Sequence, residues 1–512
     1  MNLQEATAKY LDGEFTLKGT FEQLDSERSS LLTRCEKYAG WTLPNVFPRT
    51  TMTASDEMQY DYQSVGARAV THLANKIMMA LFQPSKPFFR MNLTKEQQSI
   101  AMGEVGVDLP ALQKAIAEVE RSAAERLTKK NGRVVLTEAV ILLIITGNAL
   151  LTAPTDENLG VYSLRDYVIV RNTRGETRKL IIQEKKRVRN LDDDLASMCA
   201  EQGRADTDEV TIYTCAQTIG EGKYLVWQEL DDIAYCHKKV GIYSDNNLPW
   251  IPLTWNLPRN ADYGNGLVEN YSGDFHTLST LAEVILDFSS VVTDIKNLVN
   301  PAGMTDVEEV ASAASGAYVS GREGDIFSYS PDVRDATAFL IDRFDATERR
   351  LGSAFLMNSM VTRDAERVTA EEIRMQAQEL ESSLGGVYSR LALELQQPLA
   401  HRLMAEENKA FKSVEPVIVT GLESLSRMSE VDRLRAMLQD AAMLGDLPER
   451  LAIRLKYGGV LNKLAAGHGV DTDGILATEK EVAEEQKRQA AENAHAQGAE
   501  AGAIAQAQGQ VE

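Results

Sequence analysis

Residues 134–151, VVLTEAVILLIITGNALL, form the most apolar stretch of this chain, and such a stretch has to be removed from water. Its length approaches what a membrane-spanning helix needs, but Thr137, Glu138, Gly147 and Asn148 interrupt it. The reading that follows is a helix buried in a protein core, which the rest of the chain must surround. With 512 residues, 44% of them hydrophobic, there is material for about two to four packed units.

Charge narrows the partners. The chain carries 75 acidic against 54 basic residues, a formal net charge of −21, so its surface as a whole repels nucleic acid and anionic lipid. Tight general DNA binding is not expected on that ground. Cys35, Cys199, Cys215 and Cys236 are too few and too irregularly spaced for a disulfide framework and read as free thiols in a reducing compartment. The opening residues MNLQEATAKYLDGEF lack a basic stretch followed by an apolar core, so the expectation is a protein made and kept in the cytoplasm, with no membrane partner.

Along the chain, the first third reads as helical: residues 21–38, 63–82 and 109–130 have apolar residues at helical spacing, with stops at Pro44, Pro84 and Asn131-Gly132. From residue 149 the pattern turns to strands. Residues 162–170 and 178–182 flank a turn at 172–175, and residues 210–218 and 224–230 flank one at 220–222, so two hairpins are expected. Leu191, Leu195 and Met198 predict a helix between them, over about 188–203. A β-rich insert is then expected at about 205–260, followed by a long helix over 269–299, short strands near 317–319 and 325–329, and a helix over 335–357. Residues 430–444 and 448–464 read as helices. The Ala- and Gln-rich tail from residue 479 lacks the large apolar residues a core needs. The fold class is α+β, mainly α-helical.

No motif for chemistry stands out. There is no P-loop, HExxH or GxSxG pattern, and Cys215, Cys236 and His237 lack zinc-ligand spacing. Asp192, Asp193 and Asp194 point about 100° apart on a helix and cannot converge on one ion, so they read as a solvated face. The basic run Arg178, Lys179, Lys185, Lys186, Arg187 and Arg189 reads either as a guarded strand edge or as a contact for an acidic partner. No catalytic residue, metal or cofactor is expected.

Residues 356–399 carry more detail. A polar loop holding Arg363, Asp364, Glu366 and Arg367, whose charges cancel, leads into a helix capped by Thr369 and Glu372, the hydroxyl and carboxylate of a capping box. Gly385 and Gly386 interrupt that helix at a cost of about 1 kcal/mol each relative to alanine, which predicts a kink.

This order of elements resembles the portal protein, or head-to-tail connector, of short-tailed bacteriophages. The residues that carry the resemblance are QSVGARAVTHLANKIMMALF at 63–82, NLVNPAG at 297–303, the segment 356–399, TGLESLSR at 420–427 and GVDTDGIL at 469–476. It implies a dodecameric ring at one capsid vertex, through which double-stranded DNA passes without sequence recognition during packaging and ejection. It also implies as partners a terminase packaging motor, tail and adaptor proteins, and the major capsid and scaffolding proteins. The location implied is the virion, after assembly in the host cytoplasm. Mapped onto the family's wing, stem, clip and crown, the expectation is a wing over 1–187, a first stem helix over 188–204, a clip over 205–262 and a second stem helix over 263–299. The wing resumes over 300–415 with a tunnel loop at 359–368 and a kinked helix at 369–407, followed by a crown over 416–478 and a tail over 479–512. Arg363 and Arg367 would then touch DNA weakly, tempered by Asp364 and Glu366, while Gly385 and Gly386 would form a hinge. Two alternatives stay open: a ring-forming adaptor or scaffold that does not conduct DNA, and a metal-dependent packaging nuclease.

Overall fold

The computed structural model describes residues 5, 16–49, 56–82, 87–92, 109–155, 157–231, 240–293, 296–329, 334–357, 378–404 and 417–419. Contacts divide the chain into two units, residues 1–94 with 122–425, and residues 95–121 with 426–512. The described part of the second unit is helical, over 109–121. Apart from the helix over 109–129, whose residues 109–121 are counted with the second unit, everything below concerns the first.

Three helices open it: α1 (Leu17–Glu27), α2 (Ser29–Trp41) and α3 (Val65–Leu81). After a short strand β1 (Arg90–Asn92) and helix α4 (Leu109–Lys129), the apolar segment forms α5 (Gly132–Thr146). Leu136, Ala139, Val140, Leu142, Leu143, Ile144 and Ile145 on α5 are all buried, and Glu138 lies on its exposed edge. The segment is thus a core helix, as its composition predicts. No helix among the described residues is long and apolar enough to cross a membrane.

At the end of α5 the chain turns through Gly147, at φ +77°, directly into strand β2 (Asn148–Thr152). A Cβ at Gly147 would come within 2.4 Å of the backbone at Asn265 and Gly266, so no side chain fits there. The Asn148 amide donates to the Gly264 carbonyl and its oxygen accepts from the Gly264 N–H, each at 2.8 Å. The same Gly147 and Asn148 that break the apolar run are therefore what joins the core helix to a distant loop.

Strand β2 lies between β3 (Gly160–Tyr162) and β9 (Trp250–Thr254) in a three-stranded antiparallel sheet. Strands β4 (Tyr167–Arg171), β5 (Thr177–Arg187), β6 (Glu209–Gly220), β7 (Lys223–Leu230) and β8 (Gly241–Ser244) form a second, five-stranded antiparallel sheet in sequence order. Both expected hairpins are present, but they are not separate. β5 pairs with β6 from Lys179↔Gln217 to Arg187↔Glu209, which joins them. One face buries Val168, Ile181, Tyr213, Cys215, Leu225 and Trp227 under Leu17 and Phe21 of α1. Lys185, Lys186 and Arg187 lie beyond the reach of β4, whose last partner along β5 in that direction is Ile182, and they are exposed on an uncovered edge. For these three the guarded-edge reading fits, whereas Lys179 of the same basic run is paired on both sides, with Val170 and Gln217.

The helix expected over 188–204 is the nine-residue α6 (Asp193–Glu201), preceded by a short 3-10 turn. It is a crossover between two neighbouring strands, packing Leu195 and Cys199 on Val210, Ile212 and Leu230. Asp193 and Asp194 fall in its first turn, where negative charge favours the helix dipole.

Beyond β9, α7 (Leu267–Asn270) leads to the long helix α8 (Ser272–Thr293). Then come β10 (Lys296–Val299), α9 (Val307–Ser312), β11 (Ile326–Tyr329) and the returning helix α10 (Arg334–Ala354). The helix expected over 269–299 thus ends sooner, in a strand, and residues 317–319 form a loop rather than a strand. α8 and α10 pack together, and β10 pairs antiparallel with β11 from Lys296↔Tyr329 to Val299↔Ile326. The result is an arm of two helices with a small β-α-β cap.

The last described segment departs most from expectation. Residues 378–383 are helical, but Gly385 and Gly386 both adopt left-handed backbone, at φ +64° and +87°. The Gly386 N–H closes back on the Glu381 carbonyl, which is a helix stop of the Schellman type. A new helix, α11 (Val387–Leu391), starts at once, passes through a π-helical turn (Ala392–Gln396) and continues as α12 (Gln397–Leu403). Two consecutive left-handed residues cannot belong to one helix, so the predicted kink is a break. β12 (Val417–Val419) pairs with β1.

Candidate functional site

Arg363, Asp364, Glu366, Arg367, Thr369 and Glu372 lie outside the described residues, as do the expected crown helices and the tail. The residues on either side of 358–377 are described, and both sides are tied to α3. On the incoming side α10 ends in a tight stop with Leu356 in left-handed backbone, φ +56°, and the Met357 N–H donating to the Gly352 carbonyl. A leucine in that conformation costs about 1–2 kcal/mol. Its surroundings hold it: the side chain is buried, and Nε2 of His72 donates to its carbonyl at 3.2 Å. On the outgoing side Glu379 pairs with Lys76 at 2.7 Å.

His72 and Lys76 are one turn apart on α3, and one turn before them Arg68 pairs with Glu348 of α10 at 3.5 Å. α3 therefore has two working faces. Val65, Ala69, Leu73, Ile77 and Leu81 are buried in the core, while Arg68, His72 and Lys76 hold α10 and the segment that follows it. The apolar stripe is evident in the sequence. The polar stripe has its own signal in the sequence, Arg68, His72 and Lys76 at i, i+4 and i+8, although no apolar periodicity points to it.

The helix break after Glu379 is bridged by one carboxylate. Glu381 accepts from the Ser389 N–H at 3.0 Å and from the Ser389 hydroxyl at 2.7 Å, so it caps α11 across the two glycines. Beyond it, the Gln396 amide donates to the Leu81 carbonyl and Arg390 to the Trp255 carbonyl. Gly385 and Gly386 thus sit between two docked helical pieces.

At its base the arm is fixed to the body by the Arg34–Glu269 ion pair at 2.8 Å and by a Ser279 hydroxyl donating to Asp61, while the Arg350–Asp274 pair, also at 2.8 Å, joins α10 to α8 within the arm. Phe275, Leu278, Leu351 and Phe355 are fully buried there. Further out the burial ends. Leu286 is 58% exposed and Phe339 70%, and in the cap Leu298, Met304, Tyr318 and Phe327 are open to solvent. The cap nevertheless has internal order. Asp325 is buried and accepts from the Met304 and Thr305 N–H groups and the Thr305 hydroxyl, while the Asn300 side chain accepts from the Ala302 N–H. The NLVNPAG run is therefore the strand and tight turn that start this cap. Among the described residues no group of carboxylates, histidines and cysteines could hold a metal ion.

The described residues thus present a two-helix arm with an ordered cap whose apolar side chains are exposed. The profile of the family described as "Bacteriophage head to tail connecting protein" matches residues 14–476, and the chain belongs to that family. Its relatives include the portal protein of Enterobacteria phage SP6, 32% identical over 499 residues, covering 95% of each chain. The portal protein of Escherichia phage T7 is 32% identical over 508 residues, covering 96% of this chain and 93% of that one. That of Pseudomonas phage phiKMV is 33% identical over 480 residues, covering 91% and 93%. Among solved structures, the neck of an empty GTA particle computed with C6 symmetry aligns over 77% of this chain and 90% of that one, at 16% identity and a TM-score of 0.34.

Proposed function

We propose that this head-to-tail connector assembles as a closed ring, with twelve copies as the family resemblance implies, and conducts double-stranded DNA into and out of the capsid. In this reading the ring docks the terminase motor during packaging and tail proteins afterwards. It is embedded among capsid and scaffolding proteins, assembles in the host cytoplasm and ends in the virion. The observation that carries it is the arm: two helices rooted in a packed body by the Arg34–Glu269 and Arg68–Glu348 ion pairs, ending in an ordered cap whose apolar side chains nothing among the described residues covers.

The stem is then α8 and α10, and the clip is the cap over 296–329. Helix α6 is too short for a stem and lies between adjacent strands, and residues 205–244 belong to a sheet that begins at Tyr167, so we assign both to the wing. The segment carrying Arg363 and Arg367 leaves α10 where the stem enters the wing, which suits a loop facing the bore. Since each subunit carries −21, DNA meets mostly like charge and slides rather than binds, with the two arginines as weak contacts. Gly385 and Gly386 serve as the joint about which the outgoing segment moves.

Negative-stain microscopy of the purified protein tests the ring, which should show a central hole wide enough for a duplex; monomers alone would refute it. Replacing Arg363 and Arg367 together by alanine should lower packaged genome per particle. Unchanged packaging and retention would remove the loop from the mechanism, leaving a ring-forming adaptor.

A further inference from the structure

The distal half of the arm has a stripe on each helix that faces the other: Leu281, Ile285 and Phe288 on α8, and Leu340 and Phe344 on α10, all half-buried. At 100° per residue, Leu286 lies about 130° round α8 from that seam and Phe339 about 120° round α10. Because the helices are antiparallel, these displacements put the two side chains on opposite faces of the arm. They are also level. The register Lys296↔Tyr329 to Val299↔Ile326 and the Asp274–Arg350 ion pair fix how the helices run past one another, and continuing it sets residue 286 beside residue 339.

Charge follows the same division. α8 contains Asp274, Glu283 and Asp287 and no lysine or arginine, so two copies of it repel. Arg343, exposed and one turn from Phe339, is within about one residue of the level of Glu283.

We propose that the Leu286 face of one arm packs against the Phe339 face of the arm of a second copy, with Glu283 near Arg343. This rests on the ring reading above and names its seam. The occupant is a second copy because each arm offers two different apolar positions, on opposite faces and at one height. That is what head-to-tail closure with every copy at the same level requires. A single foreign partner would need only one of them.

Cysteine cross-linking under mild oxidation tests it. The double variant Leu286→Cys/Phe339→Cys should form a ladder of covalent oligomers, a mixture of the two single variants should give dimers, and neither single variant should cross-link alone. Cys35, Cys199 and Cys215 are buried and should stay silent, and every variant is made in a Cys236→Ser background, with that background protein as control. Self-linking of Leu286→Cys would mean a two-fold contact and overturn the proposal. Rings seen by microscopy without a ladder would overturn the seam and leave the ring standing, whereas unassembled wild-type protein would overturn both. Independently, Phe339→Asp, at an exposed position that folding tolerates, should raise the fraction of unassembled chains about tenfold at fixed concentration. No change would sink the proposal.

Discussion

Single residues with unusual backbone decide where this chain turns. Gly385 and Gly386 have open space around them, so alanine at either position meets no clash and the cost is that of a left-handed L-residue, about 1–2 kcal/mol. Gly386→Ala should therefore lower the thermal midpoint, and Gly385→Asn should lower it less than Gly385→Ala, because asparagine tolerates that conformation. Equal effects would mean that the backbone there is not left-handed. Cys35 provides a pH signature. Burial, the main cause, and then the nearby Glu269 push its thiol up to about 12 from 9.0, so the folded chain keeps a proton that the unfolded chain releases above about pH 9. The folded state consequently loses stability from this group as pH rises from 9 towards 12, and not below 9. A thiol reagent at pH 8 should leave Cys35 unmodified until denaturant is added; rapid labelling of the native protein would contradict this.

Elements are held by a few long-range contacts that the sequence did not advertise. Lys76 is only 10% exposed in its side chain and ties α3 to the helical residues 378–383, so Lys76→Ala should destabilise by about 1 kcal/mol and speed hydrogen exchange at the amides of 381–383. Lys76→Arg should restore most of it. In the cap, Asp325 is the single acceptor for three donors. Asp325→Ala should abolish hydrogen-exchange protection at the Met304 and Thr305 amides while leaving the core amides of α5 protected. Loss confined elsewhere would show that the cap is organised by another group. Helix existence was mostly legible here, since the apolar spacing on α3, α4, α5, α8 and α10 is long and regular. Helix ends were not: α8 stops where β10 finds β11, a partner about thirty residues away that no local signal announces.

At the scale of the whole molecule, a chain of net charge −21 works against its own charge if it closes into the ring proposed above. Raising salt shortens the screening length from about 30 Å at 0.01 M to about 8 Å at 0.15 M, so assembly should increase over that range in mass photometry. A decrease would mean that ion pairs between copies outweigh the net repulsion. The sequence by itself determined the fold class, the core helix, both hairpins and the family, because these rest on local periodicity, turn residues and a long run of residue identities. Only the tertiary structure decided that the two hairpins form one sheet, that the glycine pair ends a helix instead of bending it, and that the arm is α8 with α10. The reason is common to all three. Strand partners, left-handed backbone and helix pairing depend on which distant surfaces meet, and burial of those surfaces outweighs local preference by several kcal/mol.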